Sequence, residues 1–362
     1  MDKIKIGMIG TGNMGNEHIR CLKECNDAEI IALADNNSHN LQAAAELSGN
    51  SPRCFSDYRE LLKMDEIQAV FISTPEWLHR EMAVAAFAAG KDVFLEKPMA
   101  PTMQEVDEII AASEQSGKLM QIGLVYRYSR FYRKMRELIV AGELAKVQMM
   151  WCKEFRISFP PKPWYHSQEK TGGALVEKDC HHFDLFNWMI DSKPLRVCAF
   201  GGRDVLVPGG NYLCRWPGME PTVIDYGDNV DHAWVIGEYV NKARIQLGLC
   251  LFLQPNLCDG STLEIGAIGT NGRMMVSDVG KGEISIYGGD YPDTVHYQMK
   301  DRTADRVLSH YGGMEQHEEF LQCIKDRKQP FASGAIGKNS LLMAFAAEKS
   351  IQEGRIVYCE EI

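Results

Sequence analysis

No run of about 18 apolar residues occurs in this sequence, so no transmembrane helix is expected. The first residues, MDKIKIGMIG, lead directly into a strand pattern. They lack the basic region, apolar stretch and small-residue cleavage site of an export signal. Eleven cysteines are present, yet no two form a C-x-x-C pair, which argues against a zinc ribbon or a thioredoxin-like dithiol. Their odd number and irregular spacing point to free thiols in a reducing cytosol. A basic run is also missing. Lys plus Arg is 39 and Asp plus Glu is 49, a net charge of −10 that disfavours nucleic acids and anionic membranes. Internal repeats and low-complexity linkers are absent as well. What remains is a globular composition, 45% apolar and 24% charged, which excludes disorder over most of the chain. At roughly 150 residues per domain, 362 residues suggest two domains.

The first third alternates short apolar runs with helical stretches. Strands are predicted at Lys3–Ile9, Glu29–Ala34, Ala69–Ile72, Asp92–Leu95 and Leu119–Ile122. Helices are predicted at Asn16–Glu24, His39–Leu47, Glu76–Ala89 and Met103–Glu114. Such alternation predicts βαβ units and a doubly wound parallel sheet over residues 1–124. From 125 to 362 the pattern changes. Helices are expected at Phe131–Val140, Gly173–Ile190, Met314–Lys325 and Lys338–Glu353. Hairpins are expected at Ala233–Tyr239 with Ala243–Leu253, and at Thr262–Ile268 with Arg273–Val276. This second domain reads as α+β, with a large, mainly antiparallel open sheet and helices on one face. Trp234, Ile236, Leu247 and Leu249 suggest that its other face is covered by a partner subunit, as a homodimer or homotetramer.

Gly10-Thr11-Gly12-Asn13-Met14-Gly15 fits G-x-G-x-x-G between the first strand and the first helix, and Asp35 ends the second strand 20 positions after Gly15. Gly10 permits the turn, Gly12 lets a pyrophosphate approach the backbone, and Gly15 lets helix and strand pack closely. Asp35 suits the adenosine ribose hydroxyls and repels a 2′-phosphate. Asn36, Asn37 and Ser38 bring no cation, so NAD is favoured over NADP. Ser73-Thr74-Pro75 follows the next strand; Thr74 is expected to cap the following helix and Pro75 to open it. Glu96-Lys97-Pro98 follows Asp92–Leu95, and its Glu-Lys pair reads equally well as a surface ion pair.

The densest group of titratable residues is Glu177-Lys178-Asp179-Cys180-His181-His182-Phe183-Asp184, after Gly172-Gly173. On a helix Glu177 and His181 share a face. A carboxylate one turn from an imidazole suits a general base near neutral pH. Asp184 is expected to be a buried structural carboxylate, and His182 to be exposed. A metal would be a competing use of Glu177, His181, His182 and Asp184. Consecutive histidines point about 100° apart on a helix, however, and no metal is expected.

Together the glycine loop, Ser73-Thr74-Pro75, Glu96-Lys97-Pro98, the Gly172–Asp184 segment and Gly269-Thr270-Asn271-Gly272 resemble the Gfo/Idh/MocA oxidoreductase family, from Ile4 almost to the C-terminus. The resemblance implies an NAD-dependent dehydrogenase in which Lys97 touches the nicotinamide ribose and the reacting hydroxyl, and His181 acts as acid–base. The family's usual aspartate falls on Glu177, and its usual Ile-Gly is here Lys178-Asp179, a departure that points away from a plain inositol dehydrogenase and, with Asp231-His232-Ala233-Trp234 downstream, resembles the branch of sugar and glycoside dehydrogenases. Gly123 with Arg127 resembles the segment crossing between domains, and Trp164 lies where the family often places an aromatic near the nicotinamide. Beyond the glycine loop and Asp35, the cofactor is expected to meet Asn36, Ser73, Thr74, Pro75, His79, Glu96, Lys97, Arg127 and Trp164. For the substrate the candidates are Lys97, Tyr126, Lys153, Trp164, Lys178 and His181, with Glu154, Arg156, Asp231 and His232 as further lining.

The implied reaction is oxidation of a secondary hydroxyl on a cyclic sugar, a glycoside at C3, or a polyol, with Glu177 orienting His181 or passing on its proton. Three alternatives stand beside it: an NAD-dependent glycosidase that oxidises its sugar transiently and eliminates a group, an inositol dehydrogenase, and a non-catalytic protein that binds NAD or sugar as a regulator. A regulator has no need to keep Lys97, His181 and a carboxylate together.

Overall fold

Residues 3–257, 263–276, 283–288, 295–298 and 313–362 are described by the computed structural model. They divide into two compact units, of which one runs through Ser129 and takes back a later segment ending at Lys338. In that unit the chain forms β1 (Ile4–Ile9), α1 (Asn13–Glu24), β2 (Ala28–Ala34), α2 (Ser38–Ser48), β3 (Arg53–Phe55), α3 (Tyr58–Leu62), β4 (Ala69–Ile72), α4 (His79–Ala88), β5 (Asp92–Leu95), α5 (Met103–Ser116) and β6 (Met120–Ile122). The six strands pair in the order β3-β2-β1-β4-β5-β6, all parallel. β4 and β5 are buried at every position, as continuous apolar runs must be when both sheet faces are covered. Strand order reverses between β1 and β4. The loops after those strands, Gly10 and Ser73 onward, therefore sit at the topological switch point where such sheets bind ligands.

The second unit starts at Arg130 and resumes at Asn339. It contains α6 (Arg130–Val140), β7 (Val147–Phe155), α7 (Gln168–Thr171), α8 (Ala174–Ile190), β8 (Pro194–Gly202), β9 (Leu213–Cys214), β10 (Thr222–Val223), β11 (His232–Tyr239), β12 (Arg244–Cys250), β13 (Leu263–Gly269), β14 (Gly272–Val276), β15 (Glu283–Gly288) and β16 (Val295–Gln298). Both expected hairpins form, β11 with β12 and β13 with β14. Among the described residues the large sheet has nine strands, and only the β7–β12 pair is parallel.

The apolar residues read from sequence as one uncovered face belong to two. Trp234 stands opposite Gly248, so by the two-residue period Leu247 and Leu249 point to the other side. Those two are buried, on strands packed against α8, whereas Trp234 and Ile236 are 46% and 60% exposed. The open face also carries Met149, Phe200 and Ile268.

After these strands come α9 (Gly313–Asp326), α10 (Gly334–Glu353) and β17 (Val357–Tyr358), which pairs with β8. The sequence suggests that α9 continues the second domain. It packs instead on the parallel sheet, where Phe320, Leu321 and Ile324 join Ile6, Leu22, Phe71 and Phe94 in one apolar cluster. Among the described residues no helix is long and apolar enough to cross a membrane. The ten described cysteines are free thiols, and Cys258 lies outside the described residues.

Candidate active site

The glycine loop is shaped by contact with the β4 loop. Gly10 has φ +86, and a Cβ there would stand 2.7 Å from the Ser73 carbonyl oxygen, so only glycine fits. Ser73 Oγ donates to the Gly10 carbonyl at 2.9 Å. Among the described residues nothing lies within 4 Å of the place a Gly12 Cβ would take, which leaves the loop open to them in front of α1. The first turn of α1 has no side-chain cap and no acidic residue, so its amides and dipole face that space uncompensated. Exposed Asn13 and half-buried Met14 begin the helix.

Asp35 spans both sides of the loop. Its Oδ2 accepts the Thr11 N–H at 2.8 Å and the Thr11 hydroxyl at 3.0 Å, while Oδ1 accepts the Asn37 N–H at 2.8 Å. A carboxylate has about four acceptor positions, so capacity remains for a ribose hydroxyl. Asn36 is exposed beside it.

Thr74 does not cap the next helix. The chain enters a short 3₁₀ turn, Glu76–Leu78, with Pro75 at its N-terminal boundary and no side-chain cap. The Thr74 hydroxyl lies 3.4 Å from Met82 Sδ instead. The Thr74 carbonyl is held by His79, whose Nε2 and Nδ1 lie 2.9 Å from Thr74 O and Pro98 O. His79 is fully buried, so it fastens the loops after β4 and β5 together from behind. Burial lowers its pKa, against the pull of those carbonyls. Lys97 is half-buried at the end of β5, ahead of a cis peptide bond to Pro98, and Glu96 beside it is buried. It is not a surface ion pair. Tyr126 and Arg127 lie on a 3₁₀ turn, Val125–Tyr128, with the Arg127 guanidinium over the Phe331 ring at 5.1 Å.

In the second unit α8 is buried around nearly its whole circumference, including Glu177, Lys178, Asp179, His181, His182 and Asp184. Its entry is set by Gly173 at φ +115, where a Cβ would lie 2.3 Å from the Glu348 carboxyl. Glu348, on α10, accepts the Leu175 N–H at 2.9 Å and so satisfies an amide of the first turn. Burial pushes the Glu348 carboxyl up to about 7.

His182 is buried, not exposed. Its Nδ1 lies 2.9 Å from Asp179 Oδ1 and its Nε2 3.4 Å from Glu154 Oε2. Lys178 Nζ lies 3.2 Å from Glu154 Oε1, and Arg156 Nη1 approaches the same oxygen at 3.6 Å. Burial works to lower the His182 pKa, but the Cys152 thiol, the Asp179 hydrogen bond and Glu154 raise it well above the usual imidazole range. Burial likewise works to raise Glu154, yet Lys178, His182 and Arg156 hold it low. The Lys178-Asp179 pair thus belongs to a buried charge group anchored on β7.

This arrangement separates the other substrate candidates. Lys153 points to the opposite face of β7 from Glu154 and pairs with Glu264 at 3.4 Å. Asp231 is buried, with Oδ2 accepting the N–H groups of Asp204, Val205 and Leu206 and Oδ1 lying 2.7 Å from His232. It organises a turn. Trp164 is half-buried and stacks on Tyr165. Among the described residues no group of three or more His, Cys, Asp or Glu side chains is arranged to hold a metal ion. Sequence reading missed Glu348, and it placed Glu154 in the pocket lining rather than in the buried charge group it anchors. Their signal is a single carboxylate on an otherwise apolar buried face, as with Glu348 after Ala344, Ala346 and Ala347.

A parallel sheet with a glycine loop at its switch point and a carboxylate at the end of the neighbouring strand is the arrangement of a dinucleotide-binding domain. Residues 4–124 match an oxidoreductase family's NAD-binding Rossmann fold, and residues 136–359 match the same family's C-terminal alpha/beta domain. The chain belongs to the Gfo/Idh/MocA oxidoreductase family. It is 26% identical to the myo-inositol 2-dehydrogenase of Thermotoga maritima, over 99% of each chain. To the inositol 2-dehydrogenase of Salmonella paratyphi B it is 30% identical over 198 residues, covering 54% of this chain and 57% of that one. The structure of levoglucosan dehydrogenase with NADH and levoglucosan shares the fold, at a TM-score of 0.82 and 18% identity over 99% of this chain and 100% of that one. NAD is the cofactor, and the open, uncapped loop at Gly12 with Asp35 beside it fits a dinucleotide.

Proposed function

We propose that this enzyme oxidises a secondary hydroxyl of a cyclic polyol or sugar. Glu177 and His181 carry this reading: they lie one turn apart on α8, whose first turn is tied down by Glu348. NAD, when bound, supplies the hydride acceptor. His181 takes the hydroxyl proton, Glu177 orients its ring or passes the proton on, and the Lys97 ammonium stabilises the developing alkoxide. Inositols come first as substrates, because the Thermotoga relative matches over its whole length. Anhydrosugars and glucosides oxidised at C3 come next. A panel of inositols, levoglucosan and glucosides, followed by NADH absorbance, tests the reading. Release of an aglycone without net NADH would favour transient oxidation and elimination instead.

Cofactor choice follows from Asp35. Asp35→Ser with Asn36→Arg should shift the NAD:NADP ratio of kcat/KM by about 10–100-fold towards NADP, the range for one lost charged hydrogen bond. Most of the shift should come from weaker use of NAD, since the same carboxylate also holds Thr11 and Asn37. Steady-state kinetics with both cofactors measure it, and an unchanged ratio would remove Asp35 from this role.

The open sheet face supports a homodimer or homotetramer. Trp234, Ile236 and Phe200, the last 78% exposed, form an apolar surface of the kind that subunits bury. Light scattering should return at least twice the mass of one chain, and Ile236→Lys should shift it towards one chain. A monomeric wild-type protein at micromolar concentration would contradict this. Free thiols among the described cysteines support a cytoplasmic location.

A further inference from the structure

His18 on α1, Glu96 at the end of β5 and His317 on α9 form a row of buried polar groups within the first unit. His18 Nε2 lies 2.9 Å from Glu96 Oε1, His18 Nδ1 lies 2.9 Å from His317 Nε2, and His317 Nδ1 lies 2.5 Å from the Gly313 carbonyl oxygen. The second Glu96 oxygen accepts the backbone N–H of Lys97 at 3.1 Å. Gly123 leaves the carboxylate its room, since a Cβ there would stand 2.8 Å from Oε1. The rings of Phe71 and Phe94 lie against both imidazoles.

Each of the three contacts needs a proton between its heavy atoms, because facing lone pairs at hydrogen-bond distance repel. Two neutral imidazoles and a carboxylate bring only two, so the row holds one more. A carbonyl only accepts, which puts a proton on His317 Nδ1. Burial drives the His317 pKa down to about 3, and the charge of His18 acts in the same direction. His317 is therefore neutral, and its Nε2 accepts from His18 Nδ1–H. The remaining proton lies between His18 Nε2 and Glu96. Burial pushes the Glu96 carboxyl up, but the His18 hydrogen bond and charge, with Lys97 behind them, leave it below the usual carboxylate range. Imidazole is ordinarily a stronger base than a carboxylate, and Glu96 is already engaged as an acceptor by the Lys97 N–H, which places that proton on His18.

We propose that His18, Glu96 and His317 are positioning residues for Lys97, forming a row in which a His18 imidazolium locks the Glu96 carboxylate onto the Lys97 peptide. This rests on the role given to Lys97 above. Neutral histidines would leave one contact unprotonated, and the carboxylate would then be free to turn away from the Lys97 N–H.

Two measurements test it. In the cofactor-free protein with ¹⁵N-labelled histidine, ring correlations near neutral pH should show both His18 nitrogens protonated and His317 protonated at Nδ1 alone. His18→Gln and His317→Gln assign the signals. On the best panel substrate, His18→Gln should lower kcat by about 10–100-fold, the range for a hydrogen bond to a charged group. In a Lys97→Ala background the same substitution should cost less than about twofold, because residues that act through one another are not additive. A merely structural role predicts equal losses in both backgrounds. If His18→Gln does not fold, Glu96→Gln replaces it; His18 should then lose its charge, and the same non-additivity is expected. A neutral His18 in the wild-type spectrum, or equal losses in the two backgrounds, overturns the proposal. Wild-type turnover in Lys97→Ala would overturn the role of Lys97 while leaving the spectrum intact.

Discussion

Lys97→Ala should lower turnover by about 10²–10³-fold, the usual loss when one preorganised donor to a developing oxyanion is removed. Affinity for NAD should fall as well. Lys97 lies two residues beyond β5 in the sheet that carries the glycine loop, and its peptide N–H is held by buried Glu96. The role proposed for this side chain spans cofactor and alkoxide, so kcat and the NAD dissociation constant should move in one variant. Stopped-flow turnover and NADH titration separate the two. Unchanged turnover would show that the alkoxide is stabilised elsewhere.

His181→Ala should lower turnover by about 10²–10⁴-fold with NAD affinity near normal, as for a lost general base that meets only substrate. A base must be deprotonated to act, so wild-type activity should rise with pH through the titration of His181. In the variant that acidic limb should vanish. Circular dichroism guards against a trivial loss, because α8 is buried on nearly every side. Retained wild-type turnover would move the base to Glu177 or to Lys97 as a neutral amine.

What the sequence made legible was mostly local. The glycine loop, Asp35 and the strand–helix alternation depend on residues within a few positions, and the parallel sheet follows from them. The hairpins at β11–β12 and β13–β14 were readable for the same reason. Readings failed where a distant partner decides. His182 looked like a solvated neighbour of His181 until Glu154 on β7 met it. Thr74 fitted a cap by residue type, but His79 holds its carbonyl and the next turn begins at Glu76. Leu247 was grouped with Trp234 because periodicity shows that faces alternate without showing which one a helix covers. The packing of α9 against Phe71 and Phe94 spans more than 200 positions, and no local pattern announces it.

The charge group of Glu154, Lys178, Asp179 and His182 constrains how this enzyme can change. Each member is buried and answers another's charge. Removing the buried Glu154 alone takes the shared carboxylate from Lys178, His182 and Arg156 together, a change of the kind that costs about 3–5 kcal/mol of the roughly 5–15 kcal/mol that a domain has. Libraries that vary α8 one position at a time should therefore favour the parental residue at Lys178, Asp179 and His182, its three members of the group. Paths towards the family's Ile-Gly pattern run through paired exchanges, Glu154 with Lys178 and Asp179 with His182. Redesign of specificity around α8 is therefore expected to proceed in double steps, each exchanging two members of the group together.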